Sequence, residues 1–252
     1  MTRKIALITG GSRGLGKNAA IKLAKNHRDI ILTYRTQQQE AEAVVREIEA
    51  LGARALALPL DVADSSSFDA FVIEVKSQLQ TRWQRDSFDY LLNNAGTGLH
   101  AAFTETTEQQ FDQLVNIHFK GPFFLTQKLL PLLVDGGRIL NVSSGLARFS
   151  LPGSSAYAAV KGAMEVLTRY QAKELGTRGI TVNIIAPGAI ETDFSGGMVR
   201  DNAEVNAFVA AQTALGRAGL PDDIGDAIAL ILSDGSGWMT AQRIEVSGGM
   251  FI

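Results

Sequence analysis

The feature that most constrains the fold is an alternation of short apolar runs with longer helical patterns along the whole chain. Several of the runs are apolar at successive positions, which is typical of strands covered on both faces in a parallel sheet. The alternation predicts an α/β fold, a doubly wound parallel sheet of about seven strands with helices on both faces. The predicted strands are Ile5–Thr9, Ile30–Tyr34, Ala55–Leu60, Tyr90–Asn93, Arg138–Val142, Thr181–Ile185 and Arg243–Val246.

The helical patterns between these runs complete the predicted domain. No linker rich in Pro, Gly or Ser interrupts the alternation, so residues 1–252 are predicted to form a single domain. Residues 81–87 and 190–206 lack periodicity and are predicted to be irregular. Ligands of open parallel sheets bind at the carboxyl ends of the strands, so the loops there are the candidate sites. The predicted helices cover residues 16–26, 37–51, 66–80, about 108–132, 155–176 and 221–232.

Composition excludes several classes of protein. The net charge is −2 and the chain contains no cysteine, so neither a nucleic-acid patch nor thiol chemistry is expected. No apolar run reaches the roughly 18 residues of a transmembrane helix, and no signal peptide is recognised. We therefore expect a cytoplasmic protein that binds neither nucleic acid nor membrane.

A glycine-rich loop follows the first predicted strand and opens the first predicted helix. Glycines allow a sharp turn and a close approach to a ligand, and the helix start offers free N–H groups to a pyrophosphate. This context favours a dinucleotide site. The alternative is a tight turn that binds nothing. The predicted cofactor contacts in the loop are Gly10, Ser12, Arg13, Gly14, Leu15 and Gly16.

The end of the second strand indicates which dinucleotide binds. Sites that prefer NAD usually place an acid there, but this strand ends in Tyr34 and Arg35, and the first acid is Glu40. Arg35, with Arg13 in the glycine loop, is suited to pair with a 2′-phosphate. We therefore favour NADP(H) over NAD(H). The alternative is that both arginines are solvated surface residues.

Tyr157 and Lys161 form the second candidate constellation. They lie four residues apart in a helical pattern and so share one face of the helix. An ammonium beside a phenol is expected to lower the phenol's pKa from its usual value of about 10. In the reducing direction, the neutral phenol would donate its proton to a developing alkoxide. The alternative is an ordinary amphipathic helix face with no chemical role.

Taken together, the motifs resemble those of the short-chain dehydrogenase/reductase family over nearly the whole chain. They include the glycine loop, an Asn-Asn-Ala-Gly segment after the fourth strand, and the Tyr-x₃-Lys pair. The resemblance implies a Rossmann fold and hydride transfer between NADP(H) and a small-molecule carbonyl compound. It also implies a catalytic tetrad that we assign to Asn116, Ser144, Tyr157 and Lys161.

The same resemblance implies further cofactor contacts. Tyr157 and Lys161 are also expected to contact the cofactor, and Tyr34 occupies the family's acid position. His100 and His118 are expected to be ordinary polar residues, because no second ligand stands at metal spacing. No metal is therefore expected. The other implied cofactor contacts are Asp61, Val62, Asn93, Ala95, Gly96, Pro187, Gly188, Ile190 and Thr192.

Substrate and assembly are predicted more coarsely. The chain resembles 3-oxoacyl carrier-protein reductases, and Arg178 suits docking of an acidic carrier, whereas the acidic residue in Leu132–Asp135 does not. A general carbonyl reductase with a lid at Phe194–Val199 is therefore preferred. The family implies a homo-oligomer, a tetramer or dimer. The alternatives are an NAD-dependent alcohol dehydrogenase and a non-catalytic redox sensor that binds NADP(H).

Overall fold

All seven predicted strands form and pair in parallel in one sheet. The computed structural model describes residues 3–252. The strands are β1 (Lys4–Ile8), β2 (Arg28–Tyr34), β3 (Ala55–Pro59), β4 (Phe88–Asn93), β5 (Leu133–Val142), β6 (Thr181–Pro187) and β7 (Arg243–Val246). Their order in the sheet is β3-β2-β1-β4-β5-β6-β7. The predicted doubly wound parallel sheet is confirmed. The single domain over residues 1–252 stays a prediction, and its first two residues lie outside the described ones.

Helices cover both faces of the sheet. The helices are α1 (Gly14–Lys25), α2 (Gln38–Ala50), α3 (Phe68–Gln78), α4 (Glu108–Val115), α5 (Gly121–Leu129), α6 (Ser155–Leu175), α7 (Met198–Asp201), α8 (Ala203–Ala211) and α9 (Pro221–Ile231). Successive residues of β1 point to opposite sides: Ile5 and Leu7 join one core, whereas Ala6 and Ile8 join the other. Burial on both faces explains why the strands are apolar without alternation.

The long helix predicted over residues 108–132 is interrupted. α4 ends at Val115, a π-helical turn covers Asn116–Lys120, and α5 begins at Gly121. Pro122 lies near the start of α5. A proline has no N–H to donate to the carbonyl four residues earlier and crowds that carbonyl, so it disturbs the helix at His118. The wider turn rotates the residues before the proline relative to those after it.

The stretch predicted to be irregular over residues 190–206 is largely helical. α7 and the start of α8 lie within it, joined at Asn202, whose side chain accepts hydrogen bonds from the N–H groups of Glu204 and Val205. The left-handed residues Gly196 and Gly197 break the helical periodicity and hid these short helices. Part of the stretch over residues 81–87 also belongs to a π-helical turn, Leu79–Trp83.

The helices predicted to carry the oligomer contacts present a mixed surface. Leu125 is fully buried in the core, whereas Phe123 and Phe124 are 37% and 40% exposed. Exposed aromatic side chains of this kind are compatible with an interface. The homo-oligomer stays a prediction. Within residues 3–252, no helix combines the length and hydropathy needed to span a membrane.

Candidate active site

The glycine loop has the geometry that a pyrophosphate requires. Gly10 and Gly14 have φ values of +66° and +54°, which side chains rarely adopt. A Cβ at Gly16 would collide with the carbonyl of Gly10, so α1 begins tightly against the loop. The first turn of α1 contains no acidic residue, and no side chain caps it. Its N–H groups and positive dipole end are therefore available to an anion.

The residues after β4 fix this loop from the neighbouring strand. The Thr9 hydroxyl accepts hydrogen bonds from the backbone N–H groups of Asn94 and Ala95, both at 3.0 Å. The Asn94 amide donates to the carbonyls of Thr9 and Gly10, also at 3.0 Å. Asn93 instead lies in the core, where its amide donates to Asn141 at 2.8 Å. Asn94 thus shapes the loop, and its side chain was not among the predicted contacts.

The two serines after β5 face different partners. The buried Ser143 hydroxyl donates to the carboxylate of Glu165 at 2.6 Å. The Ser144 hydroxyl accepts from the backbone N–H of Leu146 and hydrogen-bonds the phenol of Tyr157. The structure therefore brings Ser144, and not Ser143, beside the tyrosine, as the sequence spacing predicts.

Tyr157 and Lys161 are close together in the first half of α6. The ammonium nitrogen of Lys161 lies 5.6 Å from the centroid of the Tyr157 ring and donates to the carbonyl of Val142 at 2.8 Å. Lys161 is only 5% exposed. Burial without an anionic partner disfavours its charge and lowers the pKa of Lys161 to about 7.

Burial has the opposite effect on the phenol. It raises the pKa of Tyr157 well above 10, and the hydrogen bond from Ser144 opposes that rise only in part. The expectation that Lys161 lowers the phenol's pKa is therefore wrong for the protein without cofactor, because desolvation outweighs the attraction between the two side chains. The neutral phenol is the form that can donate a proton.

The π-helical turn places His118, rather than Asn116, against the tyrosine. The rings of His118 and Tyr157 meet edge to face with centroids 5.3 Å apart. Asn116 is partly buried, and within residues 3–252 its side chain has no recorded hydrogen bond to Tyr157, Ser144 or Lys161. Sequence reasoning treated His118 as an ordinary polar residue. The signal it missed is Pro122, four residues later, which marks where the helix changes phase.

The predicted lid closes the ring of contacts. The ring of Phe194 lies 6.3 Å from that of Tyr157, and the neighbouring Asp193 pairs with Arg13 of the glycine loop at 3.0 Å. Gly98, after β4, leaves room for Phe194, since a Cβ there would lie 3.1 Å from its ring. Ser195 adopts a left-handed conformation together with the two glycines that follow. These residues are suited to act as hinges.

The remaining predicted contacts lie around this ring. Tyr34 ends β2, and Arg35 is exposed and forms no ion pair within the described residues. The carboxylate of Asp61 accepts from the N–H of Ala63 at 2.9 Å and shapes the turn that contains the buried Val62. Pro187 ends β6 and leads to Gly188, Ile190 and the buried Thr192, whose hydroxyl accepts from the N–H of Phe194.

No cluster of side chains suited to a metal ion occurs in the part of the chain that the structure describes. The His118 imidazole has Thr97 as its hydrogen-bond partner and no carboxylate beside it. The site is therefore built from a phenol, an ammonium, a serine hydroxyl and an imidazole. Such groups move protons and orient a carbonyl oxygen.

Known proteins share both this sequence pattern and this geometry. The sequence profile described as Enoyl-(Acyl carrier protein) reductase matches residues 10–251. The chain is 36% identical to the 3-oxoacyl-[acyl-carrier-protein] reductase FabG of Staphylococcus aureus, over 99% of this chain and 98% of the relative.

Two solved structures extend the likeness to the fold. The promiscuous reductase LugOII, which catalyses keto-reduction at C1 during lugdunomycin biosynthesis, has a TM-score of 0.94 and 35% identity, covering 100% of this chain and 99% of its own. The angucycline C-6 ketoreductase LanV with bound NADP has a TM-score of 0.93 and 33% identity, covering 98% and 95%.

Proposed function

Since the chain belongs to the short-chain dehydrogenase/reductase family of NAD(P)-dependent oxidoreductases, we propose that it reduces a ketone to a secondary alcohol with NADPH and with Tyr157 as proton donor. One observation carries the proposal. A chain of contacts runs from the glycine loop through Ala95 and His118 to Tyr157, and returns through Phe194 and Asp193. It places a buried, neutral phenol beside a dinucleotide cradle.

The residues present fit the cofactor. The uncapped start of α1 would hold the pyrophosphate, and Arg35 and Arg13 would face the 2′-phosphate. LanV, which shares this fold, holds NADP. When bound, NADPH supplies the hydride. Arg13 already pairs with Asp193, so the free guanidinium of Arg35 is the stronger determinant of cofactor choice.

Replacement of Arg35 by Asp should reverse part of the cofactor preference. A carboxylate repels the 2′-phosphate and can accept hydrogen bonds from a ribose hydroxyl. We expect the ratio of kcat/KM with NADPH to kcat/KM with NADH to fall by about 100-fold or more, the loss expected of a charge-assisted bidentate contact. Initial rates with both reduced cofactors measure this. Arg46→Asp, at an exposed position of α2, is the control, and a ratio that falls equally in both variants would contradict the assignment.

In the proposed reaction the chain's own side chains position and protonate the carbonyl oxygen. Ser144 donates a hydrogen bond to that oxygen, and the Tyr157 phenol transfers its proton to it as negative charge develops. Lys161, one helical turn along, stabilises the phenolate that remains. Phe194 and the hinge residues beside it exclude water from the site.

The substrate is proposed to be a free apolar ketone rather than a thioester on a carrier protein. The guanidinium of Arg178, the residue suited to carrier docking, donates to the carboxylate of Asp135 at 2.7 Å and to the carbonyls of Leu130 and Leu133. These contacts leave it little capacity to bind an acidic partner. Beside Tyr157, Phe194 supplies an apolar surface that is 45% exposed. LugOII and LanV are ketoreductases by description, which supports the same class.

A substrate panel tests the proposal directly. NADPH oxidation is followed with polycyclic aromatic ketones, small aliphatic ketones and 3-oxoacyl thioesters, the last both free and attached to a carrier protein. We expect kcat/KM to be highest for the aromatic ketones and to gain nothing from the carrier. A strong preference for carrier-bound thioesters would contradict the substrate class. No turnover of any carbonyl, together with tight NADPH binding, would contradict the proposed function and favour a redox sensor.

A further inference from the structure

His118 is a buried titratable side chain that the proposed mechanism does not use. It is 2% exposed and lies in the π-helical turn between α4 and α5. Its ring fills the space over Gly96, where a Cβ would lie 2.7 Å from its Cε1 atom. The opposite contact is the ring of Tyr157, met edge to face. The imidazole is thus wedged between the predicted cofactor loop and the proton donor.

The hydrogen bonds of His118 define which ring nitrogen carries the proton. Nε2 lies 2.8 Å from the carbonyl oxygen of Thr97, which can only accept, and 3.3 Å from the N–H of the same residue. The shorter contact is satisfied when Nε2 donates. In the neutral ring, Nδ1 then carries a lone pair. Nδ1 is buried and has no hydrogen-bond partner among the described residues.

The surroundings keep this ring neutral. Burial is the largest cause, and the positive charge of Lys161 adds to it, so the pKa of His118 lies well below 6.5. Lys161 and Tyr157, both on α6, are the titratable groups recorded beside it. From the loop after β4 it meets Gly96 and the backbone of Thr97, which do not titrate.

Lys161 needs a further acceptor when it is charged. An ammonium has three donors, and the carbonyl of Val142 accepts one of them. No anion pairs with Lys161 within residues 3–252. The unpartnered Nδ1 lone pair of His118 is the complementary group: an acceptor, buried and neutral, in the field of that ammonium.

We propose that His118 is a positioning residue for proton transfer, whose Nδ1 accepts a hydrogen bond from the Lys161 ammonium, directly or through one water, while its ring edge holds Tyr157 in place. This inference rests on the proposed ketone reduction. It gives Lys161 the support that keeps it charged beside the phenol. It also assigns to a histidine the position that sequence reasoning gave to Asn116.

Two replacements separate the two ring nitrogens. His118→Asn keeps a hydrogen-bonding oxygen near the place of Nδ1 and gives up the bond to Thr97. His118→Gln carries its amide near the place of Nε2 and removes the acceptor at Nδ1. Both are neutral at every pH, so they differ in where the polar group stands and not in charge.

The pH profile of kcat for ketone reduction is the main readout. We expect the alkaline limb, where Lys161 loses its proton, to lie about one pH unit lower in His118→Gln, as expected when a charged donor loses an acceptor. His118→Asn should keep the limb of the wild type. NADPH affinity, from fluorescence titration, should stay within about threefold in both. Equal limbs in all three proteins, or equal shifts in both variants, would overturn the proposal.

A second measurement is independent of turnover. The chain contains three histidines, so ¹⁵N NMR of histidine-labelled protein identifies His118 by comparison with His118→Asn. We expect a protonated Nε2 and an unprotonated Nδ1 between pH 6 and pH 9. A proton on Nδ1 would overturn the proposal even if ketones are reduced. Absence of ketone turnover in the wild type would instead overturn the proposed function, and with it the role assigned to His118, whatever the tautomer.

Discussion

Tyr157→Phe is expected to lower kcat for ketone reduction by about 10³-fold, within the range of about 10² to 10⁴ that general acid catalysis contributes. The replacement removes the phenol hydroxyl and leaves the ring. The ring's contacts with His118 and Phe194 therefore remain, as does the apolar packing of α6. NADPH affinity should change by no more than about threefold. Stopped-flow reduction under single-turnover conditions, with NADPH fluorescence for binding, measures both quantities.

Tyr170→Phe is the matched control for that variant. Tyr170 lies on the same helix but is 63% exposed, so loss of its hydroxyl should leave kcat unchanged. A single-turnover rate for Tyr157→Phe within threefold of the wild type would show that another group protonates the alkoxide. A large loss of NADPH affinity would instead assign the hydroxyl to cofactor binding.

The sheet and the glycine loop could be predicted because each depends on local sequence. Strands buried on both faces are apolar at successive positions, and β1 shows this in five residues. The sharp turn after it needs glycine at Gly10 and Gly14, whatever else surrounds it. Tyr157 and Lys161 could be paired because a spacing of four puts them on one face of an uninterrupted helix.

Asn116 could not be tested against His118 by the same reasoning, because the helix that carries them is not regular. A spacing rule assumes a constant 100° per residue, and the π-helical turn changes that rotation where these residues lie. Pro122 is visible in the sequence and marks the disturbance, but the size and direction of the rotation depend on packing against the rest of the fold. Which side chain faces Tyr157 is therefore a property of the tertiary structure.

The proton affinities of the site were also beyond local sequence. A phenol and an ammonium four residues apart suggest mutual attraction, which would lower the pKa of Tyr157. The structure buries both groups, and the loss of water changes each pKa more than their attraction does. Burial depends on the lid and on the loops after β4 and β5, which come from distant parts of the chain. This burial has a consequence that stability measurements can detect.

Lys161→Met should abolish ketone turnover and yet raise the free energy of unfolding of the cofactor-free protein at pH 6 by about 2 kcal/mol. The pKa of Lys161 is about 7 in the folded chain and 10.5 ordinarily. Below pH 7 the ammonium is charged in both states, and the full cost of burying it opposes folding. The difference between the two pKa values limits that cost to about 5 kcal/mol, and structural relaxation and the lost bond to Val142 reduce the gain.

The pH dependence of that gain identifies its cause. Between pH 7 and pH 10.5 the unfolded chain binds more protons at this position than the folded chain, so the wild type gains stability as pH rises. The advantage of Lys161→Met should therefore shrink towards zero near pH 10. Urea unfolding of both proteins at equal concentration, at pH 6, 8 and 10, measures the difference. Lys173→Met, at an exposed position of the same helix, should show no such trend. A pH-independent difference for Lys161→Met would mean that the ammonium is hydrated or paired in the folded protein, and the electrostatics proposed for Tyr157 would then be wrong as well.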